Sequence, residues 1–236
     1  MRLDRYLCEL NTGSRSQVRE FIKKGLVSVN GQVVRSADCK IDEQKDQVLF
    51  QGKVLIYQKY VYYMLNKPRG VVSATQDNTA GTVVELLAAE GRKDLFPVGR
   101  LDKDTEGLLL LTNDGELAHR LLSPKKHVDK TYQVTVDHAL GPEDIRRLEQ
   151  GVDIGEDRPT LPAKAEILSE NILLLTIQEG KYHQIKRMLQ AVGNQVTALK
   201  RICFGGISLD EDLEPGAYRP LTPMEEKYLK ESHLSS

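Results

Sequence analysis

Cysteine is scarce in this 236-residue chain. Cys8, Cys39 and Cys203 lie far apart, with no Cys-x-x-Cys pair. That spacing excludes a disulfide framework and a thiolate metal site, and it fits a reducing compartment, so a cytoplasmic protein is expected. Long apolar runs are also missing. None approaches the roughly 20 residues needed to span a bilayer, so no membrane role is expected. The first residues, Met1-Arg2-Leu3-Asp4-Arg5, carry charge where a secretory leader would begin its apolar core. No internal repeat and no low-complexity segment is visible. Neither sign of charge dominates, since 33 Lys and Arg stand against 34 Asp and Glu. What remains is ordinary for a soluble globular protein, with 28% charged and 40% hydrophobic residues. The length suits one large domain, or a catalytic domain with a small module.

The distribution of charge says more than its sum. Seven Lys and Arg but three acids lie between Arg2 and Arg35. Between Gly180 and Leu209 stand Lys181, Lys186, Arg187, Lys200 and Arg201, with no acid. Acids gather instead at Glu143 to Asp157 and Asp210 to Glu214. A chain neutral in sum can still turn a basic face to phosphates. The plainer reading of the same charges is a set of solvated surfaces.

The first 57 residues read as a separate module. Leu3, Tyr6, Leu7 and Leu10 have helical spacing. Ser14 and Gln17 form a capping-box pattern ahead of Val18, Phe21 and Ile22, and Gly25 suits the helix end. Leu26 to Val29 and Gln32 to Val34 flank Asn30-Gly31, a strong signal for a two-residue hairpin. Val48 to Phe50 and Val54 to Ile56 add short strands. Two helices and then a small sheet make an α+β module. The order of these parts, with the Gly-x-Val-x-Val-Asn-Gly hairpin at Gly25 to Gly31, resembles the S-four-type RNA-binding module. The resemblance implies that Arg2, Arg5, Arg15, Arg19, Lys23 and Lys24 face RNA. Arg15, Arg19 and Lys23 recur every four residues and so share one helix face.

After a short connection at Tyr57 to Tyr60, strand-like runs become frequent. They are Val61 to Leu65, Leu108 to Thr112, Tyr132 to Val136, Ala165 to Leu168, Ile172 to Ile177 and Val196 to Arg201. Helical patterns are fewer: Val83 to Ala89, Leu117 to Leu122, Pro142 to Glu149 and His183 to Val192. The balance predicts a mixed, largely antiparallel sheet over residues 61–232. The tail after Glu231 is expected to fray.

Four motifs could carry chemistry. Gly99-Arg100-Leu101-Asp102-Lys103-Asp104-Thr105-Glu106-Gly107 leads into the apolar run Leu108 to Leu111, which sets Asp102 on a loop between buried elements. Taken alone, Asp102 and Asp104 are turn or cap residues. Asn66-Lys67-Pro68-Arg69-Gly70 is a tight basic loop. Lys130-Thr131-Tyr132 opens a strand, where Tyr132 could simply pack. Lys181-Tyr182-His183-Gln184-Ile185-Lys186-Arg187-Met188 starts a helix, and Lys186 there opposes the helix dipole, which calls for a phosphate or carboxylate partner. His183 is read as structural rather than as a general acid. No second histidine stands at ligand spacing, so no metal site is expected.

Together these motifs resemble the RsuA-type ribosomal RNA pseudouridine synthases, over nearly the whole chain to Arg201-Ile202-Cys203-Phe204 and Pro215-Gly216-Ala217-Tyr218. The resemblance implies a pseudouridine synthase fold and isomerisation of a uridine in ribosomal RNA. It makes Asp102 the catalytic carboxylate, Tyr132 the ring that stacks on uracil, and Lys186 or else Arg187 the cation paired with Asp102. It leaves Arg100 as a second partner or as the group that fills the space of the extruded base, and puts Lys67 and Arg69 at the RNA-facing rim. The reaction exchanges no electrons and no phosphate energy, so no cofactor is expected. A compact chain without a long basic extension points to 16S RNA in an assembling small subunit, bound by a monomer. A 23S synthase is the nearest alternative. A non-catalytic RNA-binding assembly factor would have no need of Asp102, Tyr132 and Lys186 together. A glycosidase would want two cooperating carboxylates and would release free uracil.

Overall fold

The computed structural model describes residues 1–10 and 12–231, so the expectation for the tail beyond Glu231 falls outside it. The chain divides into two compact units, residues 1–59 and 60–236.

In the first unit, α1 (Leu3–Glu9) and α2 (Arg15–Lys23) cover a four-stranded antiparallel sheet in the order β2-β1-β3-β4. The strands are β1 (Val27–Val29), β2 (Gln32–Val33), β3 (Val48–Phe50) and β4 (Lys53–Leu55). Ser14 and Gln17 close the capping box reciprocally, satisfying two amides that the first turn of α2 would otherwise leave unpaired. Asn30 and Gly31 both take positive φ, as the tight β1–β2 turn requires. Leu3, Tyr6, Leu7, Val18, Ile22, Val27, Ile41 and Val48 form the core.

The second unit is built on one mixed sheet. Its strands are β5 (Tyr62–Lys67), β6 (Phe96–Pro97), β7 (Glu106–Thr112), β8 (Lys130–Val136), β9 (Lys164–Ser169), β10 (Ile172–Ile177), β11 (Val196–Phe204), β12 (Ile207–Ser208) and β13 (Tyr218–Pro220). The order is β13-β5-β7-β11-β8-β10-β9, with β6 beside β7 and β12 beside β11. All neighbours are antiparallel except β7 and β11. The helices are α3 (Gly115–Leu122), α4 (Pro142–Gln150), α5 (Gln184–Ala191) and α6 (Pro223–Glu231). Val83 to Ala89 does not form the α-helix its pattern suggests. Residues Glu85–Glu90 make 3-10 turns, kinked at Leu87 and ended by left-handed Gly91.

The strand order positions the site. Tyr132 on β8 is the register partner of Arg201 on β11, and Arg201 is the partner of Gly107 on β7. The loop that runs into β7 therefore opens two strands from Tyr132. On the other side, β10 pairs with β8 and its far end leads into α5. Alternate residues of β8 and β10 are buried, and α5 lays Ile185, Met188 and Leu189 on the same core.

Candidate active site

The loop carrying Asp102 is fixed from several directions. Leu101 beside it is buried. The Ser73 hydroxyl donates to the Leu101 carbonyl at 2.9 Å and accepts from its amide at 3.0 Å. The Gly70 amide donates to the Lys103 carbonyl at 2.8 Å, and the Thr105 amide returns to the Asp102 carbonyl at 3.1 Å. The Lys67 ammonium donates to the carbonyls of Pro68, Lys103 and Thr105 at 3.1, 3.4 and 2.8 Å.

This corrects one expectation. The resemblance puts Lys67 at an RNA-facing rim, yet its relative exposure is 0%. Its charge is spent on backbone carbonyls of the Asp102 loop. Burial pushes its pKa down from 10.5 to about 8, against the pull of Asp104, Asp102 and Glu106. Arg69, two residues on, is exposed and pairs with Glu106 at 3.1 Å.

Asp102 itself is partly exposed and meets two cationic or potentially cationic groups. Lys186 Nζ lies 3.1 Å from Oδ2, and His183 Nε2 lies 3.6 Å from Oδ1. Lys186 is in the first turn of α5, so the sequence argument for a carboxylate partner there agrees with the geometry. Arg187 points elsewhere. It pairs with Glu156 at 2.7 Å and donates to the carbonyls of Tyr182 and Ile154. The choice between the two cations falls to Lys186.

Two further residues belong to this cluster. Asp104, which reads as a turn residue in the sequence, accepts two hydrogen bonds from Lys186 at 2.7 and 2.9 Å. The Lys186 hydrogen bond holds its carboxyl below the usual range. Lys186 is thus shared by two carboxylates. Burial alone would lower its pKa, but the bonds to Asp104 and Asp102 outweigh burial and raise it. His183, which reads as structural in the sequence, stands beside Asp102. It has a left-handed backbone (φ 49°, ψ 34°) at the N-terminus of α5, and its ring stacks on Tyr182 at 3.9 Å. The available signal was the odd position of a polar ring where a helix begins.

Asp102, His183 and Lys186 line one cleft, open to solvent, with Arg100, Tyr132, Thr105, Ile177 and Leu199 completing its walls. Tyr132 is buried apart from what it presents to the cleft. Arg100 is exposed, with no hydrogen bond or ion pair among the described residues. The Thr105 hydroxyl is buried and has no partner among them. The cleft thus offers an aromatic wall, a partly exposed carboxylate with its cation, an imidazole, and a free guanidinium at the edge. Among the described residues no group of three or more His, Cys, Asp and Glu gathers as a metal site, and no helix is long and apolar enough to cross a membrane.

A sequence model described as RNA pseudouridylate synthase matches residues 61–191, which include all four motifs. The chain belongs to this family. An S4 domain model matches residues 1–48. The synthase is 50% identical to the RNA pseudouridine synthase YtzG of Bacillus subtilis (strain 168), over 98% of this chain and 99% of that one. It is 43% identical to the ribosomal small subunit pseudouridine synthase A of Haemophilus influenzae, over 98% and 100%. A crystal structure of a pseudouridylate synthase superposes with a TM-score of 0.68 at 41% identity, covering 97% of this chain and 99% of that one. The α+β architecture of this synthase is therefore that of its family, and its activity is that of an isomerase.

The S4 unit presents its cations unequally. Arg2 pairs with Asp4 and Asp38, Arg5 with Glu9, Arg19 with Asp4 and Lys24 with Glu20. Arg15 and Lys23 are exposed and have no ion pair among the described residues.

Proposed function

We propose that this synthase isomerises one uridine of 16S ribosomal RNA to pseudouridine, with Asp102 as the catalytic carboxylate. The observation that carries the reading is Asp102 partly exposed in a cleft, ion-paired to Lys186 at 3.1 Å and facing Tyr132 across a space lined by both. An ionised carboxylate in a closing pocket needs such a cation, because burial otherwise favours its neutral form. Tyr132 supplies a ring on which uracil stacks, an interaction worth about 1–3 kcal/mol per base. Arg100, free at the edge of the cleft, suits the gap left when the uridine leaves its stack, a step costing a few kcal/mol. The printed name of the Haemophilus influenzae relative supports the small-subunit substrate. Arg15, Arg19, Lys23 and Lys24 on the S4 unit, with Arg2 and Arg5, supply a tethered second grip on RNA phosphates.

The test is tritium release from 16S and 23S RNA labelled at uridine C5, free and in assembling subunits, with wild type and Asp102→Asn. Release from 16S RNA by the wild type alone is the expected result. Release by both proteins removes Asp102 from its role. Release from 23S RNA only moves the substrate to the large subunit, and no release from any substrate overturns the reading.

A further inference from the structure

We propose that His183 is a catalytic base that takes the C5 proton in the last step of the isomerisation. The inference rests on the synthase reading above and adds a residue to it.

The chemistry needs such a group. Once uracil C5 has bonded to the sugar C1′, C5 still carries its hydrogen. That hydrogen leaves as a proton, and its bonding pair becomes the C5–C6 double bond. The C6–N1 π pair moves to N1, which takes up one proton, so no net proton is gained or lost. An acceptor with an exchangeable site near neutral pH has to reach the base.

The cleft has few candidates. Lys186 is held protonated by two carboxylates. Tyr132 is the wall on which the uracil ring stacks in that reading. Asp102, the catalytic carboxylate of that reading, is ion-paired to Lys186. Imidazole is the side chain suited to exchange protons at neutral pH. His183 lines the same cleft, with Nε2 3.6 Å from Asp102 Oδ1 while Lys186 occupies Oδ2. An imidazolium formed there faces Asp102 and Asp104, and Lys186 is the cation beside it.

The backbone argues for more than packing. His183 is one of four non-glycine residues in the left-handed region among the described residues, and unlike Asn30, Gln51 and His127 it lines the cleft. Here it sets the ring at the N-terminus of α5 against the Asp102 loop. The ring is held by stacking on Tyr182, itself 75% exposed, at an interplanar angle of 18°. The Gln184 side chain accepts from the Lys181 amide at 3.0 Å and the Arg187 amide donates to the His183 carbonyl at 3.0 Å, fixing the backbone on both sides.

The experiment uses the full-length enzyme with His183→Asn, which tolerates the left-handed backbone, and His183→Gly, which leaves room for added imidazole. Turnover is measured on RNA carrying protium or deuterium at uridine C5, across pH, with folding and RNA affinity checked in parallel. The expected result is a fall in kcat of about 10²-fold in His183→Asn with RNA affinity kept. A primary isotope effect at C5 larger than that of the wild type appears, the acid limb of the wild-type pH profile is lost, and imidazole restores part of the rate to His183→Gly. A variant with an unchanged isotope effect and pH profile, or a slow variant that imidazole does not rescue, overturns the proposal. An inert wild type overturns the synthase reading itself, whereas an active wild type with an equally active His183→Asn overturns only this one.

Discussion

Lys67 illustrates what a residue's surroundings do to its meaning. Its ammonium donates to three carbonyls around the Asp102 loop and lies wholly out of solvent. Lys67→Met takes this donor from the Pro68 and Thr105 carbonyls, while the Lys103 carbonyl keeps the Gly70 amide, and about 3 kcal/mol of stability should be lost at pH 7, read by urea unfolding. The pH dependence has a definite sign. The folded-state pKa is near 8 and the ordinary value is 10.5, so between those limits the unfolded chain binds more protons. Stability from Lys67 therefore rises as pH climbs from 8 towards 10, and the gap between wild type and Lys67→Met should widen over that window. A constant gap would mean the amine does not titrate there. Lys186 gives the complementary case. Lys186→Met should lower kcat by about 10²-fold or more with little change in RNA affinity, because its charge supports the Asp102 carboxylate. Asp104→Asn should cost far less, since Lys186 keeps Asp102 as a partner. Equal losses in single-turnover kinetics would instead make the two carboxylates one functional unit. The pairing of Asp102 with a cation from the next motif was legible in the sequence, because a lysine in a first turn of helix wants an anion. The burial of Lys67 was not, because its acceptors come from residues 68, 103 and 105, and a local pattern does not show that the chain brings them together.

At the scale of elements, legibility followed apolar content. The six runs read as strands all appear, several extended by one to three residues, because alternating or continuous apolar side chains mark them directly. The short strands β6, β12 and β13 carried no such mark, and their pairing depends on partners elsewhere in the chain. Helix α6 leaves no periodic signal in the sequence because it buries Leu229 alone. Another feature unseen in the sequence is the parallel contact of β7 with β11, on which the site geometry depends. Gly107 makes it possible. It has φ +97°, and a Cβ there would overlap the Arg201 carbonyl oxygen and lie 2.9 Å from the Arg201 amide nitrogen. Gly107→Ala should therefore part these strands and cost roughly 3 kcal/mol or more, combining strain with backbone overlap. Loss of soluble protein, or a melting temperature many degrees lower, is the expected observation. An unchanged melting curve would mean the strands tolerate separation.

For the whole molecule, the net charge of −1 conceals a division of labour. The second unit holds the cleft, where Lys186 is tied to Asp102 and Asp104. The S4 unit carries a basic helix face, and within it Arg15 and Lys23 are the exposed members without an ion pair among the described residues. Arg2, Arg5, Arg19 and Lys24 must exchange an existing acidic partner for a phosphate, so each contributes less to net affinity than its charge suggests. Arg15 and Lys23 surrender only solvent. If both meet phosphates, Arg15→Gln with Lys23→Gln should weaken RNA binding and reduce the slope of log affinity against log salt by about 1.4, near 0.7 for each contact to a single strand. Replacing Arg5 and Lys24 in the same way should change the slope less, since each substitution also frees an acid. The chemistry is held by other residues, so kcat at saturating RNA should stay at the wild-type value while KM rises. A slope unchanged by Arg15→Gln with Lys23→Gln would remove this face from the RNA contact. A fall in kcat at saturation would show that the S4 unit shapes the bound substrate as well as retaining it.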